Sequence, residues 1–268
     1  MRSDPRPIGI FDSGIGGFTV LKQLRKWLPQ ESFVYVAGNS FQPFGDKKPE
    51  SILEINDRII TYLLREEVKL IVIACNTSSS IALEHNKIHY PVPFADMLLD
   101  GLWFTQGLPA YSNIGVIATQ ATVDSQSYVR TILNFRKQMI VHQQACPKLV
   151  PLIEQMIFSS DLKTRAIEQH ESLLEVLSSY LTAVADCEYL VMGCSHYPYL
   201  AAEIARILPA SKIIDPAVFV AERVKEYVEI IGKNKQKPIQ TFYYTQEDPA
   251  LIQNATRFKF DSYQLVRV

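Results

Sequence analysis

The sequence predicts an α/β fold built of two similar domains, each a mainly parallel sheet flanked by helices. Three observations carry that prediction. Short β-rich runs alternate with amphipathic helical patterns almost from end to end of the 268 residues, the arrangement that βαβ units produce. Several strand-like runs are apolar without alternation, as strands covered on both faces are. Two segments of the first half recur, in the same order, in the second half.

The elements follow in order. "PIGIF" (7–11) reads as a strand, "DSGIGG" (12–17) as a tight turn, and "FTVLKQLRKWL" (18–28) as a helix whose Val20, Leu21, Leu24 and Leu28 share one face, stopped by Pro29. "FVYVA" (33–37) is the next strand. Residues 50–66 form an amphipathic helix on Ile52, Ile55, Ile59 and Leu63, and "KLIVIA" (69–74) is a strand covered on both faces. From "NIGVIATQAT" (113–122) the alternation resumes, with a helix near 162–184, the strand "YLVMG" (189–193) and a helix from Pro198 to Leu208. The Lys-rich "GKNKQKP" (232–238) reads as a solvated connection.

The internal similarity sets "IGIFDS" (8–13) against "IGVIAT" (114–119), and "LIVIACNTS" (70–78) against "YLVMGCSHY" (189–197). Each half then has a strand that ends in a cysteine followed by polar side chains, with a helix beginning a few residues on. If the halves are duplicates, the two domains face each other with Cys75 and Cys194 at matching strand ends.

Composition narrows the function. A chain with 47% hydrophobic residues buries a sizeable core, and its formal charge of −1 (27 Lys and Arg against 28 Asp and Glu) offers no basic field for nucleic acid or anionic lipid. A small ligand fits that balance. No apolar run approaches the roughly 18 residues of a membrane span, and the N-terminus lacks an apolar signal core, so a cytoplasmic location is expected. The four cysteines, 75, 146, 187 and 194, include no C-x-x-C pair, and reduced thiols are expected.

In open α/β sheets ligands bind beyond the carboxyl ends of strands, where helix N-termini attract anions. Cys75 and Cys194 both occupy that place, and a helix N-terminus is expected to draw a thiol pKa down towards neutrality. Either could act as a base or a nucleophile; the alternative is that each is a small buried hydrophobe. A metal site on Cys194 and His196 lacks a second ligand pair, so no metal is expected. "GIGG" is a poor dinucleotide loop because Thr19 holds the last glycine position. Asp12, at a strand end, reads equally as a helix cap or a catalytic group, and Glu154, in a helical segment, as a solvated residue. Cys146 and Cys187 read as core filling, and His85, His89, His142 and His170 have nothing around them that demands a role.

Six motifs in order, "GIFDSGIGGFTVLKQL", "PFGDK", "VIACNTSSSIALE", "IGVIATQATVDSQSY", "ACPKLVPLIE" and "GCSHYPYL", resemble those of the glutamate racemases, members of the cofactor-independent aspartate/glutamate racemase family. The likeness runs from about residue 7 to the C-terminus. It implies a first domain of residues 1–97 and 210–268, a second of 98–209, an active site at their interface, and a homodimer. It implies cofactor-free interconversion of L- and D-glutamate, supplying D-glutamate for peptidoglycan. By the same resemblance Cys75 is the base towards D-glutamate and Cys194 the base towards L-glutamate. Asp12 assists the first, and His196 with Glu154 the second. Ser13, Asn76, Thr77, Thr122, Ser195 and the backbone at Phe44 and Gly45 then contact the substrate.

The chain departs from the family pattern at four places. Gly38 stands where an aspartate is usual, Phe44 where tyrosine is usual and Ser195 where threonine is usual, and "PVPFADMLLDGL" (91–102) lacks the usual run into Pro-Gly. An aspartate racemase of the same family differs by one methylene in its substrate, and a catalytically weakened paralogue with a binding role is the alternative outside catalysis.

Overall fold

The structure is a computed structural model that describes residues 3–90, 92–158 and 163–268, without the side chains of 83–89 and 163–170; those of His85, His89 and His170 fall outside the description. In the first part of the chain β1 (Ile8–Asp12), α1 (Phe18–Trp27), β2 (Phe33–Ala37), α2 (Pro49–Arg65), β3 (Leu70–Ile73), α3 (Asn76–His89) and β4 (Phe94–Asp96) succeed one another. The middle part carries β5 (Asn113–Ala118), α4 (Gln120–Asp124), α5 (Ser127–Phe135), β6 (Ile140–Ala145), α6 (Leu149–Phe158), α7 (Lys163–Leu181), β7 (Tyr189–Gly193), α8 (Ala201–Ile207) and β8 (Lys212–Ile214). The chain then runs through α9 (Pro216–Ile231), β9 (Gln240–Tyr244), α10 (Pro249–Thr256) and β10 (Ser262–Leu265).

Two sheets form, with strand orders β10-β9-β2-β1-β3-β4 and β6-β5-β7-β8, and every pairing within them is parallel. The first sheet is covered on both faces. Successive residues of a strand point to opposite sides, so Ile8 and Ile10 pack with α1 and α9 through Leu21, Leu24, Val220 and Val224, while Phe11 packs with α2 through Ile59 and Leu63. That two-sided burial is why β1 and β3 read as unbroken apolar runs.

The repeat seen in the sequence is a repeat of structure. The order β2-β1-β3-β4 is reproduced as β6-β5-β7-β8. The register is reproduced as well: Ile8 pairs with Leu70 across β1 and β3, and their counterparts Ile114 and Tyr189 pair across β5 and β7. Cys75 and Cys194 thus stand at equivalent positions just past β3 and β7.

The second sheet reaches residues 212–214, where β8 pairs with β7; α9 then leaves that sheet and packs on α1, with Asp215 capping it through the Ala217 N–H at 3.0 Å. One expectation needs correction. The 232–238 segment is not a purely solvated connection. Asn234 is buried, donating to Gln30 O and accepting from the Gln236 N–H. Beside it the Gly232 carbonyl accepts from the buried Lys69 ammonium at 2.9 Å, while Lys69 is paired with Glu31 at 2.7 Å. The lysines give this stretch its polar composition, but the Asn234 backbone N–H, which donates to Glu31 Oε1 at 2.9 Å, and the Gly232 carbonyl serve the buried ion pair, as a pair taken out of water requires.

Candidate active site

Between the carboxyl ends of the two sheets lies a cavity of about 300 Å³. Cys75 and Cys194 both line it. Cys75 is the N-cap of α3, its sulfur accepting from the Ser78 N–H at 3.5 Å. Cys194 follows β7, and its sulfur lies 3.9 Å from His196 Nδ1. Both thiols are free and buried.

Their surroundings differ in charge. His196 Nε2 lies 3.0 Å from Glu154 Oε1, which brings α6 against the segment after β7. Burial pulls the imidazole pKa down, but hydrogen bonds to Cys194 and Glu154, with their charges, outweigh it and lift His196 to about 10. Among the described residues no such cation stands beside Cys75. Burial pushes it up to about 12, the Asp12 charge adds to the rise, and the Ser78 N–H only partly offsets them. The expected drop of this pKa at a helix N-terminus is therefore overturned: desolvation of the thiolate outweighs one N–H contact.

The polar shell is built from strand ends. Asp12, fully buried at the end of β1, accepts from the Gly14 N–H at 2.9 Å and from Ser195 Oγ at 3.0 Å. Its contacts thus cross to the second sheet. Thr77, Thr119 and Thr122 form a triangle of hydroxyls, with 2.9 Å from Thr119 to each of the others and 3.3 Å between Thr122 and Thr77. Of the predicted contacts, Ser13, Phe44, Gly45, Asn76, Thr77 and Ser195 line the cavity, as do Glu154 and His196. Asp12 and Thr122 stand behind it. Thr119, the structural counterpart of Ser13, lies between Thr122 and the cavity. The expectation of a solvated Glu154 is corrected by its bond to His196, a partner 42 positions away that a helical pattern cannot reveal.

Two turns are shaped for this approach. A Cβ on Gly16 would come within 2.3 Å of Ser195 Oγ, and one on Gly45 within 3.0 Å of the Thr119 Cβ, so the first-sheet loops touch second-sheet residues where only hydrogen fits. Among the described residues no group of three or more His, Cys, Asp and Glu side chains is arranged for a metal ion. No helix among them is long and apolar enough to cross a membrane.

The sequence model of the family described as Asp/Glu/Hydantoin racemase matches residues 19–224. The chain belongs to this racemase family. Within it, the glutamate racemase of Picosynechococcus sp. (strain ATCC 27264 / PCC 7002 / PR-6) is 40% identical over 240 residues, covering 88% of this chain and 81% of that protein. Among solved structures, glutamate racemase from Francisella tularensis subsp. tularensis SCHU S4 in complex with D-glutamate superposes with a TM-score of 0.86 at 30% identity, covering 98% of each chain. Glutamate racemase from Thermus thermophilus in complex with beta-chloro-D-alanine gives 0.84 at 32% identity, covering 99% of each. The two parallel sheets flanked by helices are the fold of these racemases.

Proposed function

We propose that this racemase interconverts L- and D-glutamate by a two-base proton transfer, with Cys75 acting on the D-enantiomer and Cys194 on the L-enantiomer. The observation that carries the reading is that two free thiols, at equivalent ends of duplicated strands, line one cavity. Racemisation removes the α-proton from one face and delivers a proton to the other, which takes two acid/base groups flanking a planar intermediate.

The starting charges suit one direction. With its pKa near 12, Cys75 holds its proton and is ready to donate. A protonated His196 beside Cys194 supports negative charge on that sulfur as it takes the α-proton of L-glutamate. After one turnover Cys194 holds the proton and Cys75 is the base, the state required for D-glutamate.

Among the described residues, no lysine or arginine lines the cavity. The substrate carboxylates are met instead by amides, hydroxyls and backbone N–H groups. Asn76 Nδ2 is buried with no hydrogen-bond partner, a donor that a carboxylate satisfies. Fixed donors of this kind contribute about 3–4 kcal/mol each to stabilising developing charge, and near-attack positioning contributes up to about 7–11 kcal/mol. Both are needed, since the α-proton is a far weaker acid than a thiol.

Two domains, 3–97 with 215–268 and 98–214, are the units this reading assigns to the two sheets. A homodimer and supply of D-glutamate to peptidoglycan belong to the same reading and rest on the resemblance alone, and a cytoplasmic location is carried with them from the lack of an apolar run of membrane-spanning length. The test is circular dichroism of pure protein with D- and L-glutamate and D- and L-aspartate, with no cofactor added. Glutamate signals converging to zero support it; turnover of aspartate alone, or none without pyridoxal phosphate or metal, overturns it.

A further inference from the structure

Glu154 Oε1 accepts from a second side chain besides His196. Gln42 Nε2 lies 3.3 Å from it, and Gln42 stands on the loop after β2, in the first sheet's half, whereas α6 belongs to the second. The β1–α1 turn passes directly beneath the Gln42 amide, where a Cβ on Gly14 would lie 2.0 Å from Nε2. Gln42 and Glu154 both line the cavity. The chain from Gln42 through Glu154 and His196 to Cys194 is continuous, at 3.3, 3.0 and 3.9 Å, and begins on the opposite domain from the thiol it ends on.

We propose that Gln42 is a positioning residue for the Cys194 half of the reaction, its amide fixing the Glu154 carboxylate as acceptor for the His196 Nε2–H and so aiming Nδ1 at the Cys194 sulfur. The inference rests on the two-thiol reading above. An amide N–H donates and cannot take a proton, so Gln42 keeps Oε1 in an accepting role without joining the transfer. Ring orientation follows. With Nε2–H committed to Glu154, the neutral imidazole presents the lone pair of Nδ1 to the thiol, and the proton moving from sulfur to Nδ1 leaves a thiolate and an imidazolium. Since Gln42 lies on the other domain, the relay is complete only while the two sheets are held together around the cavity.

The consequence is one-sided and measurable. Enantiomers have equal free energies, so kcat/KM for L- and D-glutamate stays equal in every variant, and rates in the two directions cannot report which half-reaction suffers. Primary isotope effects can. If the Cys194 transition state rises, removal of the α-proton from L-glutamate becomes more rate-limiting, while in the other direction the intermediate returns to D-glutamate more often.

The experiment compares wild type, Gln42→Met, which keeps the length and loses the donor, and Gln42→Glu, which sets a carboxylate against Glu154. Isotope effects on kcat/KM are measured with α-deuterated L-glutamate and α-deuterated D-glutamate. Gln42→Met is expected to lower kcat/KM about tenfold, the scale of one hydrogen bond to a charged group. Its isotope effect rises with the L-substrate and falls with the D-substrate. Gln42→Glu gives the same split with a larger loss. Effects that move together in both substrates, or stay at the wild-type values, overturn the proposal; a wild type that does not racemise glutamate overturns the two-thiol reading itself.

Discussion

Ser195 Oγ donates to Asp12 Oδ2 at 3.0 Å, joining the loop after β7 of the second sheet to the end of β1 in the first. Both residues are buried, Asp12 completely. Asp12 Oδ1 is already taken by the Gly14 N–H, so Ser195 is the side chain that serves the other oxygen across the interface. Removing it leaves a buried carboxylate oxygen short of a donor, at a cost of about 1–3 kcal/mol. Ser195→Ala is therefore expected to lower the melting temperature by several degrees and to reduce kcat/KM, while Ser195→Thr, which keeps the hydroxyl, preserves both. Equal melting of the alanine variant and the wild type would show that the contact holds nothing together.

Cys75→Ala and Cys194→Ala are each expected to abolish racemisation, since one face of the α-carbon loses its proton donor or acceptor, while D-glutamate still binds. Residual activity above a few per cent in either variant contradicts the two-thiol assignment. In deuterated water the wild type is expected to place deuterium at the α-carbon of product, because the incoming proton comes from an exchangeable thiol. Mass spectrometry of product isolated early in the reaction measures it, and unlabelled product means one base serves both faces.

His196 links stability to pH. Its pKa of about 10 in the folded protein lies above the ordinary value of 6.5, so protonation favours the fold. That contribution is fully present below about pH 6.5 and is lost as pH rises through about 10. Wild-type melting temperature is expected to fall across this window by more than that of His196→Gln, measured in parallel by thermal denaturation. Parallel pH curves for the two proteins would mean that the imidazole is not held charged by Glu154 and Cys194.

What could be seen in the sequence was whatever depends on near neighbours. The strands β1, β3, β5 and β7 are covered on both faces and declare themselves as apolar runs, and the matched cysteines emerge because duplication preserves their context. β6, "IVHQQA", sits at a sheet edge with no fully buried residue, so its polar side chains conceal it. β4 and β8 are three residues long, too short for a period to register. Gln42 and Thr119 escaped for a different reason. Their roles arise from contacts with Glu154 and Thr77, 112 and 42 positions distant, and nothing beside them in the chain announces those partners.

Gly38, where the family pattern has aspartate, has φ −82°, a value any residue adopts. A side chain there is not strained, but its Cβ meets Ile59 Cδ1 at 3.1 Å and Phe44 Cζ at 3.5 Å. Gly38→Asp and Gly38→Asn are both expected to fold and remain active. The added carboxylate disfavours a thiolate near it, pushing Cys75 further in the direction Asp12 already drives it. Relative to Asn, the Asp variant is expected to shift the alkaline-side onset of kcat with D-glutamate to higher pH. Superimposable profiles would mean that position 38 does not sense the catalytic thiol.

Gly16 offers the sharpest steric test of how closely the sheets approach. A Cβ at this position would lie 2.3 Å from Ser195 Oγ, 2.4 Å from His196 Nδ1 and 2.7 Å from His196 Cε1. These atoms cannot all give way, because Ser195 is bonded to Asp12 and the His196 ring to Glu154. One methyl group must therefore push the β1–α1 turn away from the second sheet or turn His196 from Cys194. Overpacking of this kind costs about 1–3 kcal/mol, and a displacement near 1 Å at a reacting group costs about 100-fold in rate. Gly16→Ala is expected to lower kcat/KM by at least that factor. Gly107→Ala is the control, since nothing lies within 4 Å of its would-be Cβ; it is expected to keep full activity and to melt at or slightly above the wild-type temperature through its stiffer unfolded chain. A fully active Gly16→Ala enzyme would mean that the two sheets do not stand this close during turnover.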